Sequence, residues 1–416
     1  VGSGVVQLLK KRARLIKNRF NTCYAVKAVC DLNIKNTRPK GLKKALMTDN
    51  YKEVINHDDV DVVVELIGGL HPAKEIVTAA LKKGKHVVTA NKALISNYGK
   101  ELFQLAQKHQ SRLYYESSVL AGVPIIKTIT EGVIGNKFGA VYGIVNGTCN
   151  FILDQMTKNN CSFEAALKKA QKEGYAESDP TLDINGMDAA HKLAILIYLA
   201  FGKFMRVKDI HTEGVTHISY DDIEYAESMD LTIKLLAIAK KKDGEIEARV
   251  HPTFISKDHP LASINGVANA VYLHAEPLGN IMLSGLGAGK MAAASGVVSD
   301  LINLAMKGAD GPLSCNLYDE NPDVNLRKID EVDTKFYLRF FAVNKPGVLS
   351  KIAGVLGQHG IGINSVTQRG SAQAAAVPVI LLTEYAQEKK VRLALKKIDK
   401  LSIVKDKSVA IRMENL

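Results

Sequence analysis

Unbroken apolar runs alternate with helix-period stretches through the first part of the chain, and this alternation most narrows what it can fold into. Val60 to Ile67 is near-continuously apolar and ends at Gly68-Gly69; His86 to Thr89 and Leu113 to Tyr115 are further runs, and Ala25 to Cys30 is a shorter one. Between them Val5 to Phe20, Pro72 to Lys83 and Tyr98 to Lys108 carry apolar residues at helical spacing. A strand apolar on both faces needs cover on both, and helices between successive strands supply it. The pattern predicts an α/β fold with a Rossmann-type, doubly wound parallel sheet. Ligands of such sheets lie outside the carboxyl ends of the strands. Asp31, Gly68, Gly69 and the Thr89-Ala90-Asn91-Lys92 turn fall on that edge.

The chain enters this domain at Val1-Gly2-Ser3-Gly4, directly ahead of a helix. A nucleotide-binding sheet needs a strand and a glycine turn there, so that backbone amides at the helix N-terminus meet the pyrophosphate. The expectation is that the first strand and two glycines of a G-x-G-x-x-G run are missing, with Gly2 the last of the three. Asp31, at the end of the second apparent strand, could accept hydrogen bonds from a ribose. It could equally be a turn acid in Asp31-Leu32-Asn33.

At 416 residues the chain is too long for one core. From Pro124 longer helices mix with strands such as Ala140 to Val145 and Glu247 to Phe254, an α+β pattern that ends near Ala309-Asp310-Gly311-Pro312. Asp319 to Asp333 is polar and reads as linker. The tail then resets into strand Phe336 to Val343, helix Val348 to His359, strands Ile363 to Gln368 and Val377 to Thr383, helix Gln387 to Ile398 and strand Val409 to Met413. This βαββαβ order predicts a compact domain of its own. The expected divisions are 1–123, 124–312, a linker 313–334, and 335–416.

The formal charge of +12 invites a nucleic-acid reading, but the lysines lie on amphipathic helices, as in Lys10-Lys11-Arg12, without interleaved aromatics or a zinc or RNP-type motif. The charge favours anionic cofactors and substrates instead. The five cysteines show neither paired nor metal-ligand spacing and read as reduced thiols. The longest clean apolar run, Leu193 to Phe201, is too short to span a bilayer, and no cleavable signal opens the chain. A soluble, cytoplasmic protein is expected, with no nucleic-acid or membrane partner.

The chemistry concentrates in Glu173-Gly174-Tyr175-Ala176-Glu177-Ser178-Asp179-Pro180-Thr181-Leu182-Asp183-Ile184-Asn185-Gly186-Met187-Asp188, with Lys192 four residues after the last acid. Asp188 and Lys192 share a helix face, and the helix beyond them is apolar nearly all round, as in a buried element. An acidic loop feeding a buried helix suits a small zwitterion. An ordinary i,i+4 surface ion pair is the competing reading. Likewise Gly285-Leu286-Gly287-Ala288-Gly289-Lys290 is either a tight turn alone or a glycine turn facing a cofactor.

With these pieces together the sequence resembles homoserine dehydrogenases of the long type with a C-terminal ACT domain. The resemblance covers essentially the whole chain and is most specific at Tyr175 to Pro180, Asp183 to Lys192, Val145-Asn146-Gly147-Thr148-Cys149-Asn150 and Thr89 to Lys92. It implies reversible oxidation of L-homoserine to L-aspartate 4-semialdehyde with NAD or NADP, on the route to threonine and methionine. Lys192 is then the acid/base, assisted by Lys92, and the mutual depression of two lysines' pKa values is expected. Glu177, Asp188 and Asp183 contact the substrate; Gly2, Asp31, Gly68, Thr89, Lys92 and Gly289 contact the cofactor. Glu116 with the carbonyls of Val119, Ala121 and Val123 matches a sodium-binding loop, an oxygen cage suited to a hard cation, although Leu120 departs from the usual glycine.

Ala292-Ala293-Ala294-Ser295 replaces the family's usual Pro-Thr-Ala-Ser, and Leu382-Thr383-Glu384-Tyr385 departs from a common Thr-His-Glu pattern in the ACT domain. The resemblance still implies threonine as effector and a homodimer or homotetramer. Cys30 stands where many relatives carry arginine, which leans toward NAD, but Lys35, Arg38 and Lys40 could serve a 2′-phosphate, so both cofactors stay open. Two other classes compete: an amino-acid sensor with an impaired nucleotide site, and a semialdehyde dehydrogenase using Cys149 as a covalent nucleophile.

Overall fold

The computed structural model describes residues 1–34, 42, 44–307, 324–368 and 374–416. Lys35, Arg38, Lys40, Cys315 and the Ala309 to Pro312 boundary lie outside the described residues. The chain divides into two compact units: Val1–Val145, Ala190–Ile210 and Ala268–Asp323 form one, and Asn146–Ala189, His211–Val267 and Val324–Leu416 the other.

The first stretch runs α1 (Gly2–Phe20), β1 (Ala28–Cys30), β2 (Leu46–Thr48), α2 (Tyr51–Asn56), β3 (Val62–Glu65), α3 (Ala73–Lys82), β4 (His86–Thr89), α4 (Lys92–Lys108), β5 (Leu113–Tyr114) and β6 (Lys137–Ile144). All pairings among β1 to β5 are parallel, as the apolar runs require: β1 with β2, and β3-β4-β5 in register Val64↔Val88 and Val88↔Tyr114. They form two ladders rather than the single sheet expected, and among the described residues no strand joins them. Helix α4 starts six residues earlier than its periodicity suggests, because Asn91 is its N-cap and accepts from the Leu94 amide.

The middle of the chain holds α5 (Gly147–Asn159), α6 (Phe163–Lys172), α7 (Met187–Phe201), β7 (His211–Thr212), α8 (Tyr220–Glu227), β8 (Leu231–Lys242), β9 (Glu245–Ser256), β10 (Ala268–Glu276), β11 (Gly279–Leu286) and α9 (Lys290–Lys307). In the first unit β6, β10 and β11 form an antiparallel sheet. Helices α1 and α9 pack through Val5, Ile16, Ala294, Val297, Val298 and Leu301 onto Val88 and Tyr114 of the parallel ladder. Gly4 lets them approach, since a Cβ there would lie 3.1 Å from both the Ala294 Cβ and the Lys290 carbonyl.

In the second unit β8 and β9 form a hairpin of twelve residues a side. Its turn is Asp243-Gly244, both at positive φ, the pairing a two-residue hairpin favours. The tail adds β12 (Asn325–Leu326), β13 (Asp333–Val343), α10 (Val348–Gln358), β14 (Ile363–Gln368), β15 (Ala376–Thr383), β16 (Ala386–Gln387), α11 (Glu388–Ile398) and β17 (Val409–Met413). The βαββαβ order is as expected, and α10 and α11 close a core with Phe336, Leu338, Phe340, Val379 and Leu381.

The tail is not, however, closed on itself. β17 pairs antiparallel with β13 and parallel with β9, so the order β8-β9-β17-β13-β15-β14 is one continuous sheet. Three short strands lie along one edge of β9, all parallel to it: β12 at Glu245–Ile246, β7 at Arg249–Val250 and β17 at Thr253–Phe254. β12 falls in the stretch that reads as polar linker; its backbone is taken up by β9. No described helix is long and apolar enough to cross a membrane.

Candidate active site

The acidic loop and the N-terminus of α5 form one hydrogen-bonded cluster in the second unit. Asn146 caps α5, its Oδ1 accepting from the Cys149 amide at 2.7 Å. Its side-chain amide donates to Asp183 Oδ1 and to Asp188 Oδ2, each at 2.8 Å. Thr148 Oγ1 lies 3.2 Å from Asp183 Oδ2 and 2.8 Å from the Tyr175 carbonyl. One neutral amide thus holds two carboxylates side by side, an arrangement that attracts a cation with several donors. Asn146 and Asp188 are buried and Asp183 is half-buried. Glu177 lies apart from the hydrogen-bonded group, exposed in the turn before Pro180. The Cys149 thiol is fully buried and donates to the Asp183 carbonyl at 3.2 Å, so it serves as packing rather than as an exposed nucleophile.

The lysines belong to the first unit. Lys192, on α7, is 9 % exposed and its Nζ donates to the Val145 carbonyl at 2.7 Å. The residue beside it, His191, shares a 2.7 Å hydrogen bond with Ser96 of α4, and Phe103 of α4 stacks on Tyr198 of α7 with centroids 5.7 Å apart. Both contacts are spaced by seven residues, so the two helices run side by side in constant register. Lys92 opens α4 one turn before Ser96, so the lysines stand on packed neighbours, offset along the axis by roughly one helical turn. The all-round apolar α7 is buried, as its composition requires: Leu193 to Leu199 are all buried.

Two loops line the carboxyl edge of the parallel ladder. Glu65, at the end of β3, is 3 % exposed; its Oε1 accepts from the amides of Ile67 and Gly68, and its Oε2 from the Thr89 hydroxyl at 2.6 Å. Asn91 donates to the Gly69 carbonyl at 2.7 Å. Thr89 is therefore buried and acts on the Gly68-Gly69 loop through Glu65. Both glycines have positive φ, and a Cβ at either would meet nothing within 4 Å, so the loop presents bare backbone to open space. Glu65 and Asn91 escape a reading of apolar periodicity; a carboxylate closing the run Val62-Val63-Val64 was the available signal.

Gly2 begins α1, and the contact of Gly4 with Lys290 brings the start of α1 beside the start of α9. The glycine turn between β11 and α9 is thereby carried to the same place. Gly289 has φ 113°, and a Cβ at Gly287 would overlap the Asn269 side chain at 1.4 Å. Asp31 follows β1 and closes a turn, its Oδ1 accepting from the Asn33 amide at 2.8 Å.

Glu116 is buried, and its two oxygens accept from the amides of Ile126 and Lys127 at 2.9 and 3.0 Å. Leu120 and Ala121 both have positive φ, and a Cβ at Gly296 would lie 2.8 Å from the Ala121 carbonyl. The carboxylate expected to anchor a sodium ion thus accepts from two backbone amides, one on each oxygen. Asp300 accepts from the Glu116 amide at 2.9 Å and faces Lys127 Nζ at 3.4 Å. Burial, helped by Asp300, pushes Glu116 up from 4.5 to about 7; burial likewise pushes Asp300 up from 3.8 to about 6.

A parallel ladder with bare glycine backbone at its carboxyl edge is the equipment of a Rossmann-type nucleotide-binding oxidoreductase; the same unit carries the buried Lys192, and the other unit the paired-acid cluster. Comparison with known families agrees. Residues 1–116 match the model described as homoserine dehydrogenase, NAD binding domain; residues 124–302 match homoserine dehydrogenase; and residues 336–400 match the ACT domain. The homoserine dehydrogenase of Neisseria gonorrhoeae is 39 % identical over all of this chain and 97 % of its own length; that of Bacillus subtilis is 34 % identical over 100 % and 96 %. A crystal structure of a homoserine dehydrogenase from Thiobacillus denitrificans superposes with a TM-score of 0.93 at 38 % identity, covering 100 % of this chain and 96 % of that one. The chain belongs to the homoserine dehydrogenase family.

Proposed function

We propose that the protein reversibly oxidises L-homoserine to L-aspartate 4-semialdehyde with NAD or NADP, in the synthesis of threonine and methionine, and that its ACT domain senses an amino acid, threonine first. The observation that carries the reading of the site is the Asn146 side chain bonded to both Asp183 and Asp188. Two carboxylates held by one neutral amide suit the three-donor ammonium of an amino acid. Glu177 sits in the flanking turn, from which its carboxylate would complete the grip on that group.

A nicotinamide cofactor, when bound, supplies the hydride acceptor for the alcohol carbon. Gly2, Gly68, Thr89, Lys92 and Gly289 would hold it, with Asp31 at the ribose; the open backbone at Gly68 and the glycine-only turn at Gly287 fit that role. Removing a hydride from a primary alcohol requires that its hydroxyl proton be taken up, and Lys192 is the group that takes it. The hydrogen bond from Nζ to the Val145 carbonyl fixes the amine's direction, and burial restricts the water that would compete for it. Lys92 on the packed neighbouring helix assists. A hyperthermophilic archaeal homoserine dehydrogenase, 27 % identical over 74 % of this chain, is known in complex with NADPH, which supports including NADP alongside NAD.

The test is turnover of L-homoserine with each cofactor by the full chain. Production of NADH or NADPH that requires homoserine is expected. Amino-acid binding to the protein without any turnover would favour a sensor and sink the enzyme reading.

A further inference from the structure

We propose that Glu213 is a positioning residue for the substrate acid Asp183, and that Arg412 ties it to the C-terminal domain. The inference rests on the reading of Asp183 given above and concerns groups that lie within one compact unit.

Arg412 lies on β17, opposite Thr253 of β9 on one side and Phe336 of β13 on the other. Its side chain is 4 % exposed and donates four hydrogen bonds to carboxylates. Nε and Nη2 donate to the two oxygens of Glu388 at 2.8 and 2.7 Å, while Nη1 and Nη2 donate to the two oxygens of Glu213, both at 2.8 Å. Glu388 is the first residue of α11 in the C-terminal domain. One planar guanidinium therefore forks between two carboxylates from different segments of the unit. Burial pushes Glu213 up, but hydrogen bonds from His211 and Arg412 outweigh it and hold the carboxyl well below the usual range.

From Glu213 the connection to Asp183 is backbone. The Glu213 amide donates to the Val250 carbonyl of β9 at 2.8 Å, and the Val215 amide to the Ile184 carbonyl at 2.9 Å. Between them Gly214 lies against the loop so closely that a Cβ would stand 2.0 Å from the Ile184 carbonyl oxygen and 2.6 Å from the Asn185 Cα. A Cβ at Gly186 would likewise meet the Glu213 carbonyl at 3.1 Å. The segment 213–215 and the loop 184–186 cannot move independently, and Asp183 is the residue next to that loop. A shift of β17 or α11 that draws on Arg412 is passed through Glu213 to the carboxylate that Asn146 and Thr148 hold.

The experiment is a double-mutant cycle on the full chain with Glu213→Gln, Asp183→Asn and both, reading KM for homoserine and for the cofactor separately. Glu213→Gln is nearly isosteric and leaves Arg412 balanced by Glu388, so the fold is retained. The expected result is a raised homoserine KM for Glu213→Gln with the cofactor KM unchanged, and effects of the two substitutions that depart from additivity by about threefold or more. Glu388→Gln, remote from the substrate loop, should raise the homoserine KM in the same direction. Additive effects, or equal changes in both KM values, would overturn the coupling alone. An Asp183→Asn variant with wild-type homoserine KM would sink the site reading and the coupling with it.

Discussion

Asn146 commits its whole side chain. Its oxygen caps α5 through the Cys149 amide and its two amide hydrogens go to Asp183 and Asp188. An aspartate there could cap the helix but would add a third negative charge to the pair; an alanine would leave the pair unbridged. The Asn-Gly-Thr stretch that carries it was legible as a motif, yet its role as a bridge was not, because the acids it joins come from a distant loop. Asp188 and Lys192 were more legible: their four-residue spacing ahead of an apolar helix leaves a surface ion pair or a buried site, and both residues are buried. Lys192→Ala should lower turnover by about 10² to 10⁴-fold, the usual worth of a positioned acid/base. Cofactor binding, followed by the fluorescence of the reduced nicotinamide, should persist; near-normal turnover would remove Lys192 from the chemistry.

At the scale of elements, hydrophobic periodicity locates most strands and helices of the first part and of the tail, but in the middle of the chain it leaves α5, α6, α8, β8, β10, β11 and α9 without bounds. α4 was read from Tyr98 because Asn91-Lys92 looks like a turn, although the asparagine is a cap. β2 and α2 were missed, being too short to show a period. The Glu116 loop, an ion cage by resemblance, holds its carboxylate on the Ile126 and Lys127 amides and its own amide on Asp300. Its raised carboxyls give a pH signature. Between pH 4.5 and about 7 the folded protein binds the Glu116 proton and the unfolded chain does not, so this group's contribution to stability is present at low pH and lost as pH rises through about 7. Asp300 acts in the same sense between 3.8 and about 6. Denaturant unfolding of Glu116→Gln against pH should show a flatter curve, missing a slope that approaches about 1.4 kcal/mol per pH unit for one such group. An unchanged slope would show that Glu116 is not the group responsible.

Across the whole molecule, the tail's βαββαβ order is locally complete, which is why the sequence presents it as independent. Nothing in its periodicity shows that β17 has a second partner, because edge pairing engages backbone and leaves side-chain alternation unchanged. That pairing binds the C-terminal domain to β9. Deleting residues from Ser408 onward removes Ile411 from the core and Arg412 from between Glu213 and Glu388. A buried carboxylate, Glu388, and a half-buried one, Glu213, left without their cation cost about 3 kcal/mol, which in a unit of this size lowers the melting temperature by about 10 °C. Scanning calorimetry of the truncated chain would test this; a dehydrogenase with its original melting temperature would mean that the tail is separable after all.

The position of β17 along the gene has its own consequence. After β9 a ribosome must make β10, β11, α9 and the rest of the C-terminal domain before β17 emerges to lie against Thr253 and Phe254. Throughout that interval this stretch of β9 offers unpaired amides and carbonyls to any other extended chain nearby. The native pairing also closes a very long loop, which slows it relative to local hairpins such as β8–β9. Until β17 is made and paired, this edge is open to intermolecular pairing, and soluble yield on overexpression should follow the rate at which that pairing forms.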